Sequence, residues 1–361
     1  MFPRLSTLLI VLLCFASSLQ AQLSVYVNMQ NQVMVWDKGM IRKVDYLPPV
    51  DIKIGRTTIP YLDNSRSFKI YYDGAVRPIN IGFTNEFYAT DNLVAYLNSK
   101  SLNVFDKGNT KNLSTFCTQY FLGDSVVLFF DGVRSEYKAY YNGQIYPIEG
   151  FLAGNPLEVI KVTDNIIAYD NYANQFRIFY HGNIIEQENY AVNSFEVGRN
   201  TVAYVDINRQ FRIFHNGQTF EEEDFAPTAY QAGDNVVAYM SNDGYFKIFY
   251  DDSVRKVGFF TPTEFRVVDN MVAYRDQSGY FKVFYKGETY SLESYYPDKY
   301  TMQYNSVAYI NRSGMLRLFT EGEVYDVTNS ELEQWTLSYD VLQYQIGQNL
   351  FRIYYKGTDY D

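Results

Sequence analysis

Short runs of apolar residues follow one another along most of the chain, separated by polar turn residues. Residues 234–252 read DNVVAYMSNDGYFKIFYDD, and residues 269–287 read DNMVAYRDQSGYFKVFYKG. In each stretch, two runs of β-branched and aromatic residues flank a polar segment with glycine, which is the pattern of a β-hairpin. Both faces of each run are largely apolar, as expected for a strand covered on both sides. The pattern therefore predicts strands sandwiched between neighbouring sheets.

The same phrase returns at a nearly constant interval. It closes each time on a glycine, or once on an aspartate, at Gly39, Gly74, Gly108, Gly143, Gly182, Gly217, Asp252, Gly287, Gly322 and Gly357. The successive steps are 35, 34, 35, 39, 35, 35, 35, 35 and 35 residues. A fixed period of this kind indicates a repeat architecture in which each unit covers the apolar face of the next. The sequence therefore predicts one domain of ten units over residues 22–361.

A column of large residues lies eight positions before the alanine of each VAY-like strand. Its members are Ile52, Phe87, Tyr120, Ile160, Phe195, Tyr230, Phe265, Tyr300 and Trp335. A position that stays bulky while its neighbours vary is expected to lie in the core. Each unit then has about four short strands joined by tight turns. The first unit lacks the strand with the bulky column, because the mature chain begins at a VAY-like strand.

Ten such sheets stack either into a closed ring or into an open β superhelix, and the two apolar faces of every unit favour the ring. The chain resembles β-propeller repeat proteins over its whole mature length, and its unit is similar to short WG-type repeats in length and strand order. The Gly-His and Trp-Asp signature of WD40 units does not recur from unit to unit, and the Trp-Gly pairs of WG units are absent, so the resemblance transfers no functional residue. We expect an all-β propeller of ten antiparallel units, with irregular pairing where its two ends meet.

The first 21 residues differ from the rest. Arg4 precedes an apolar run from Leu8 to Ala16, and small and polar residues follow up to Ala21. This is the layout of a secretory signal peptide, and the run is too short for a permanent membrane span. No later segment is apolar enough to cross a membrane. We therefore expect a secreted, periplasmic or cell-envelope protein, in which Cys117 is the one remaining cysteine and the core rather than a disulfide provides stability.

Charge and composition exclude several classes of partner and site. The formal net charge is −10 and there is no basic block, which argues against nucleic-acid binding. Tyrosine and phenylalanine are abundant, whereas the two histidines, His181 and His215, occupy non-equivalent repeat positions and form no zinc pattern. No nucleophile elbow, phosphate loop or dinucleotide fingerprint occurs. The sequence predicts no catalytic residue, no cofactor and no metal.

The most regular charged feature is a basic column at the second position of the FKIFY-like strands. It contains Lys69, Lys138, Arg177, Arg212, Lys247, Lys282, Arg317 and Arg352. If the hairpin pairs Tyr239 with Phe246, Ala238 faces Lys247 and leaves room for the aliphatic stem, which favours a packing role. The alternative is a basic ring that collects an anionic ligand. Candidate counter-ions lie six residues after the closing position, at Asp45, Glu149, Glu188, Glu223 and Glu293.

Other polar positions are interpreted as turns or variable loops. Residues that begin the hairpin turns, at Asp63, Asp206, Asp276 and Asn311, suit local backbone hydrogen bonds better than metal binding. The acidic run at residues 221–224 predicts a solvated turn. Two departures from the repeat, about four extra residues within 149–158 and an irregular segment at 108–117, are candidate functional loops or neutral variation.

We therefore expect an exported, non-enzymatic binding or scaffolding protein with a protein or glycan ligand on one rim of the ring. The near-equal units and the absence of a convergent polar cluster in the sequence support this expectation. The alternative is a propeller enzyme of the glycosidase or lyase class acting on an extracellular carbohydrate, which needs two carboxylates in one cleft. A carboxylate-aromatic cleft on the rim would favour the enzyme, and an exposed aromatic patch would favour protein binding. The binding residues are not identified by the sequence.

Overall fold

The computed structural model describes residues 22–79, 82–150, 157–347 and 350–360. Within these ranges the regular secondary structure consists of 39 strands. They form ten antiparallel sheets, each built from consecutive strands of one repeat unit. Nine sheets have four strands, and the first has three among the described residues.

The strands follow the order of the units along the chain. The first five units contain β1 (Leu23–Val27), β2 (Val33–Asp37) and β3 (Met40–Asp45); β4 (Asp51–Ile52), β5 (Thr58–Leu62), β6 (Phe68–Tyr72) and β7 (Ala75–Pro78); β8 (Thr84–Ala89), β9 (Leu93–Asn98), β10 (Ser101–Asp106) and β11 (Asn109–Ser114); β12 (Cys117–Leu122), β13 (Val126–Asp131), β14 (Glu136–Tyr141) and β15 (Gln144–Gly150); and β16 (Ile160–Thr163), β17 (Ile166–Asp170), β18 (Phe176–Tyr180) and β19 (Asn183–Glu186). The last five contain β20 (Ser194–Gly198), β21 (Thr201–Val205), β22 (Phe211–His215) and β23 (Gln218–Glu223); β24 (Ala229–Gly233), β25 (Val236–Met240), β26 (Phe246–Tyr250) and β27 (Ser253–Gly258); β28 (Phe265–Val268), β29 (Met271–Arg275), β30 (Phe281–Tyr285) and β31 (Glu288–Glu293); β32 (Tyr300–Gln303), β33 (Ser306–Ile310), β34 (Leu316–Thr320) and β35 (Glu323–Thr328); and β36 (Leu332–Ser338), β37 (Val341–Ile346), β38 (Leu350–Tyr355) and β39 (Thr358–Tyr360).

Each four-stranded sheet is a propeller blade whose first strand lies nearest the axis. The first strands of neighbouring blades lie next to each other, as β20, β24 and β28 do, whereas half of the residues of an outer strand such as β31 are exposed. The apolar clusters lie between blades, so that Phe281 of the eighth unit packs with Val307 and Phe319 of the ninth. The predicted closed ring of ten antiparallel units is confirmed, and the open superhelix is wrong.

The two ends of the chain meet by face-to-face packing. Trp36 of the first unit is 1% exposed, and its ring lies 4.9 Å from that of Tyr355 and 5.5 Å from that of Tyr360 in the tenth unit. Ser24 donates a hydrogen bond to Gln343 at 2.8 Å. Among the described strands, none of the first unit pairs with a strand of the tenth. The predicted irregular pairing of the ends is therefore wrong, because side chains close the ring.

The hairpin register differs from the prediction by one residue. Tyr239 lies opposite Lys247, and Ala238 lies opposite Ile248. The hairpin loop consists of residues 241–245, and the pair Met240–Phe246 closes it. The prediction that Ala238 faces Lys247 is therefore wrong. Both faces of these strands are apolar, so the hydrophobic pattern does not fix their register.

The bulky column lies on the inner strands and is buried to different degrees. Phe87 and Phe195 are 3% and 4% exposed, whereas Phe265 and Tyr300 are partly buried against neighbouring clusters. The assignment of this column to the core is confirmed for Phe87 and Phe195. The other members lie on the same innermost strands of their blades.

The alternating strand directions sort the loops onto two faces. The face that carries the second-to-third hairpins and the connections between units is called the hairpin face. The opposite face, which carries the first-to-second and third-to-fourth turns, is called the turn face. The closing glycines lie in third-to-fourth turns, where Asn142 and Gly143 have φ angles of 45° and 82°. Such a turn requires a left-handed backbone, which explains the recurrent glycine.

Candidate functional site

The first-to-second turns of the blades converge on the propeller axis at the turn face. The residue four positions before the VAY-like alanine lies in this turn, and around the ring it is Arg56, Asp91, Asp124, Asp164, Arg199, Asp234, Asp269, Tyr304 and Tyr339. We call these nine residues the axial cluster. The corresponding position of the first unit, Ala21, lies outside the described residues.

Arg199 joins carboxylates from four different blades. Its Nη2 lies 3.0 Å from Asp124, 3.3 Å from Asp164 and 3.6 Å from Asp91. Its Nε lies 3.7 Å from Asp234. These aspartates belong to the third, fourth, fifth and seventh units, so one guanidinium from the sixth unit links blades on both sides of it.

Arg56 makes a second set of contacts across the axis. Its Nη1 lies 3.9 Å from Asp91, and its Nη2 donates a hydrogen bond to the hydroxyl of Tyr304 at 2.5 Å. The guanidinium also lies 4.2 Å from the centre of the Tyr304 ring, which contacts the Tyr339 ring at 6.2 Å. Arg56 is 7% exposed. The second unit is thereby linked to the third and ninth.

Five carboxyls meet only two guanidiniums in the axial cluster, which would leave three negative charges if all were ionised. Burial, together with the neighbouring Asp124, raises the pKa of Asp91 to about 6. Burial, together with Asp234, raises the pKa of Asp269 to about 7. Burial and a hydrogen bond with Asp124 also raise the pKa of Asp164. Protonation of these carboxyls therefore relieves part of the repulsion.

A belt of asparagines next to the axial cluster also joins the blades. Asn165 donates to Asn200 at 2.6 Å, and Asn200 donates to Asn235 at 3.0 Å. Asn270 donates to Asn305 at 3.3 Å. Within the described part of the chain, no group of three or more His, Cys, Asp or Glu side chains is arranged to hold a metal ion. The axial residues bind one another across the blades, which is a structural role.

The expectation that the chain has no convergent polar cluster is wrong. The Asp-Asn pairs at Asp91, Asp164, Asp234 and Asp269 are turn residues, as their sequence indicates, but their carboxyls also meet at the axis. The available signal was the column of ionisable residues itself, since Arg56 and Arg199 occupy the same repeat position. Only the closure of the ring makes one residue per blade into a cluster.

The basic column is paired locally. Seven members have a carboxylate within 4.0 Å, namely Lys69, Lys138, Arg177, Arg212, Lys247, Lys282 and Arg317. The eighth, Arg352, hydrogen-bonds to Tyr344. The packing role is therefore confirmed, and the alternative of a ligand-collecting basic ring is wrong.

Several of these ion pairs connect consecutive blades. Glu223 of the sixth unit accepts hydrogen bonds from Lys247 at 2.7 Å and from Tyr239 at 2.9 Å, both in the seventh unit. The pairs Asp45–Lys69 and Glu293–Arg317, at 2.9 and 2.8 Å, repeat this arrangement. The predicted counter-ion column is thereby confirmed at Asp45, Glu188, Glu223 and Glu293.

The remaining predicted positions have local roles. Asp63 and Asp276 each accept two backbone N–H bonds within their hairpin turns, at 2.8 to 2.9 Å, which confirms the turn interpretation. The solvated-turn interpretation of residues 221–224 is wrong for Glu223, which ends β23 and joins two blades. Most of the insertion in residues 149–158 lies outside the described residues. In the irregular segment at 108–117, β11 forms, and burial raises the pKa of Cys117 to about 11.

The two faces of the ring differ in polarity. Large apolar residues are exposed on hairpins and unit connections of the first eight units, on the hairpin face, at Met29, Tyr46, Leu47, Val50, Phe83, Phe116, Val133, Val159, Tyr190, Ile207, Phe225, Phe259 and Tyr280. On the turn face, the residue before each closing position is polar or charged, from Lys38 and Asp73 to Glu321 and Lys356. Most of the exposed large apolar residues among the described residues therefore lie on the hairpin face rather than on the turn face.

Comparison with solved structures shows weak likenesses to several proteins. The chain is similar to the computationally designed Ika8 protein, with 16% identity, coverage of 75% of this chain and 96% of that one, and a TM-score of 0.34. It is similar to Prp20p from Saccharomyces cerevisiae, with 10% identity, coverage of 64% and 81%, and a TM-score of 0.32. It is similar to PorZ of Porphyromonas gingivalis, with 10% identity, coverage of 93% of this chain and 58% of that one, and a TM-score of 0.27.

The family assignment rests on the sequence match rather than on these structures. No curated protein matches the chain. A family model described as a 10-bladed beta propeller domain matches residues 17–360, nearly the whole chain, and its blade number is that of the structure. The chain belongs to the family of 10-bladed beta propeller domains.

Proposed function

We propose that this chain is an exported, non-enzymatic binding or scaffolding protein that holds a protein partner on its hairpin face. The ten-bladed propeller fold supports a binding or scaffolding role in general. The single observation that carries the proposal is the ring of exposed apolar side chains on the hairpin loops. Aromatic residues such as Phe225 and Phe259, 65% and 69% exposed, are the type that contributes most at protein interfaces.

The distribution of these residues favours a broad protein surface as the partner. They lie on loops of eight different units, so no single cleft would bring a small substrate to all of them. Four of the five axial carboxyls contact Arg199 or Arg56, and Asp269 accepts a hydrogen bond from the backbone N–H of Tyr304. Export is supported by the signal-like segment of the first 21 residues. None of the described residues forms a helix that could span a membrane.

Site-specific photo-crosslinking in the native host tests the proposal. We expect a photoreactive amino acid at Phe225 or Phe259 to give a protein adduct of one defined mass, whereas the same group at Asn216 on the turn face should not. Excess unlabelled protein should compete for the adduct, and a Phe225→Ser/Phe259→Ser variant should compete poorly. Adducts from both faces alike, or none, would contradict the proposal, as would turnover of a glycan by the purified protein.

Export has its own measurement. Mass spectrometry of the protein from the medium or the cell envelope should show an N-terminus near Gln22, because the signal-like segment ends at Ala21. A full-length chain in the cytoplasm would rule out export. That result would not bear on binding at the hairpin face.

A further inference from the structure

A pocket of about 850 Å³ opens on the hairpin face between the eighth and ninth units. Its walls come from the start of β28, from the loop after β29, from the connection at residues 294–299, and from the hairpin of the ninth unit. Four separate segments therefore contribute side chains to one cavity. Its volume lies within the usual range of ligand pockets, about 300–1,000 Å³.

Three guanidiniums line this pocket, those of Arg266, Arg275 and Arg312. All three residues are exposed, and among the described residues none of them has a carboxylate within 4.0 Å. The wall also contains Glu264 and Asp298, so the lining has a net charge of +1 in a chain whose net charge is −10. In the basic column, by contrast, Arg177, Arg212 and Arg317 each have a carboxylate within 4.0 Å.

These arginines are a departure from the repeat. The residues that correspond to Arg266, Arg275 and Arg312 are Gln231, Met240 and Gln277 one unit earlier, Glu196, Val205 and Asn242 two units earlier, and Thr301, Ile310 and Gly347 one unit later. A corresponding pocket of about 470 Å³ exists between the sixth and seventh units. The scaffold therefore forms the cavity more than once, and only this copy receives three cations at these positions.

The aromatic rings of the pocket are already packed against protein groups. Arg312 lies 4.0 Å from the centre of the Tyr295 ring, and its backbone N–H donates to the Tyr295 hydroxyl at 2.6 Å. Tyr296 and Tyr300 share a hydrogen bond of 2.8 Å, and both rings pack on Phe281. Stacking of a sugar ring is thus less favoured than charge-assisted binding by the guanidiniums, which suit carboxylates geometrically.

We propose that this pocket binds the carboxylates of an acidic peptide segment. The inference rests on the proposed function in one respect, because the segment is presented by the protein partner on the hairpin face. Each guanidinium donates hydrogen bonds to a glutamate or aspartate side chain of the segment. The exposed apolar residues around the ring contact the rest of the partner, and the arginine pocket specifies which acidic sequence enters between the eighth and ninth units.

Fluorescence anisotropy with the full-length mature protein tests this assignment. The probe is fluorescein-labelled hexaglutamate, and hexalysine and a six-unit oligogalacturonate are measured in parallel. We expect hexaglutamate to bind, and added salt to weaken the binding. Arg275→Gln and Arg312→Gln should each weaken it about tenfold, the value of one charge-assisted hydrogen bond. Arg275→Lys, which keeps the charge, should weaken it less.

The matched control is Arg209→Gln, which removes an exposed guanidinium from the corresponding pocket of the sixth unit. This variant should bind hexaglutamate as the wild type does, and thermal melting should show that all variants remain folded. Absence of hexaglutamate binding, equal loss in Arg209→Gln, or preferential binding of oligogalacturonate would overturn the assignment.

The two proposals fail separately. A hairpin-face adduct that persists in the Arg275→Gln/Arg312→Gln variant would leave the protein-binding function standing and overturn the pocket. Arginine-dependent hexaglutamate binding without any hairpin-face adduct would support the pocket chemistry and contradict the partner surface.

Discussion

Charged residues near the axis and between the blades stabilise this ring in different ways. Arg199 gathers four carboxylates, but the axial cluster still has more acids than bases. Glu223 instead pairs with a single lysine and a tyrosine of the next blade. The axial carboxyls therefore bear a cost of repulsion that depends on pH, whereas Glu223 lies beside an opposite charge.

Asp269 provides the test of that cost. Its pKa is raised from 3.8 to about 7, so the folded protein binds this proton more tightly than the unfolded chain does. Its contribution to stability is full below pH 3.8 and is lost as the pH rises through 7. Asp269→Asn removes the charge, and should raise the free energy of unfolding by on the order of 2 kcal/mol at about pH 8 and by nothing at about pH 4.

Denaturant unfolding at both pH values measures the effect. The control is Asp224→Asn, a change at an exposed aspartate, which should stay within about 0.5 kcal/mol at either pH. If Asp269→Asn destabilised the protein at the higher pH, the carboxylate would be required in its charged form and the account of the axial cluster would be wrong.

Lys247 tests the pairs between blades. Its side chain is 8% exposed and its ammonium lies 2.7 Å from Glu223, so Lys247→Met leaves a nearly buried carboxylate with one partner fewer. We expect a loss of about 1 to 3 kcal/mol in the free energy of unfolding. Lys69→Met, at a site where the lysine is 25% exposed, should cost no more than about 1 kcal/mol.

A double-mutant cycle in denaturant separates pairing from packing. Adding Glu223→Gln to Lys247→Met should recover part of the loss, because the unpaired charge is removed. Strictly additive effects of the two changes would mean that the ion pair contributes nothing.

At the scale of the blade, the strands followed from the sequence because their signals are local. Alternation of β-branched and aromatic residues, and a glycine at each left-handed turn, are present in every unit. The predicted hairpin register is wrong by one residue at Tyr239. Because both faces of these strands are apolar, the hydrophobic pattern does not show which residues of the two strands lie opposite each other. The bulky column was correctly assigned to the core at Phe195, but its partial exposure elsewhere depends on how neighbouring blades pack, which no single unit specifies.

Truncating different members of the bulky column should lower stability by different amounts, although they occupy the same position of the repeat. Phe195 is 4% exposed and packs 5.0 Å from Phe176, so Phe195→Ala should cost about 3 to 5 kcal/mol. Tyr120 is half-buried and its hydroxyl donates to Glu86 at 2.9 Å. Tyr120→Ala should therefore cost less, about 1 to 2 kcal/mol. Thermal unfolding of the two variants measures the difference. Equal losses of stability would show that the burial of these residues does not determine how much each contributes.

At the scale of the whole molecule, the axial cluster exists only because ten units close into a ring. The sequence places Arg199 and Asp91 108 residues apart, and nothing local relates them. The arginine pocket was also beyond sequence reasoning, because Arg266, Arg275 and Arg312 come from different loops that meet only between two packed blades. Closure is thus the step on which both sites depend, and it relies on packing of the three-stranded first unit against the tenth.

Trp36 is the residue through which closure can be tested. It occupies the same repeat position as Phe249 of the seventh unit, and both are fully buried between blades. Trp36→Ala and Phe249→Ala should each cost about 3 to 5 kcal/mol. Of the two changes, only Trp36→Ala removes a contact between the first and tenth units, which no described strand pairing joins. Its effect should therefore include local opening of the ring and not only global destabilisation.

Hydrogen exchange followed by mass spectrometry distinguishes these outcomes under native conditions. In Trp36→Ala we expect faster exchange in β1, β2 and β37, while the central blades keep their protection. In Phe249→Ala the seam should stay protected, because the first and tenth units remain packed and the loss falls on the seventh and its neighbours. If hydrogen exchange became faster by the same factor in all blades of both variants, the ring would unfold only as a whole. In that case the packed seam would be as stable as the other blade interfaces, although the first unit contributes three described strands and every other blade contributes four.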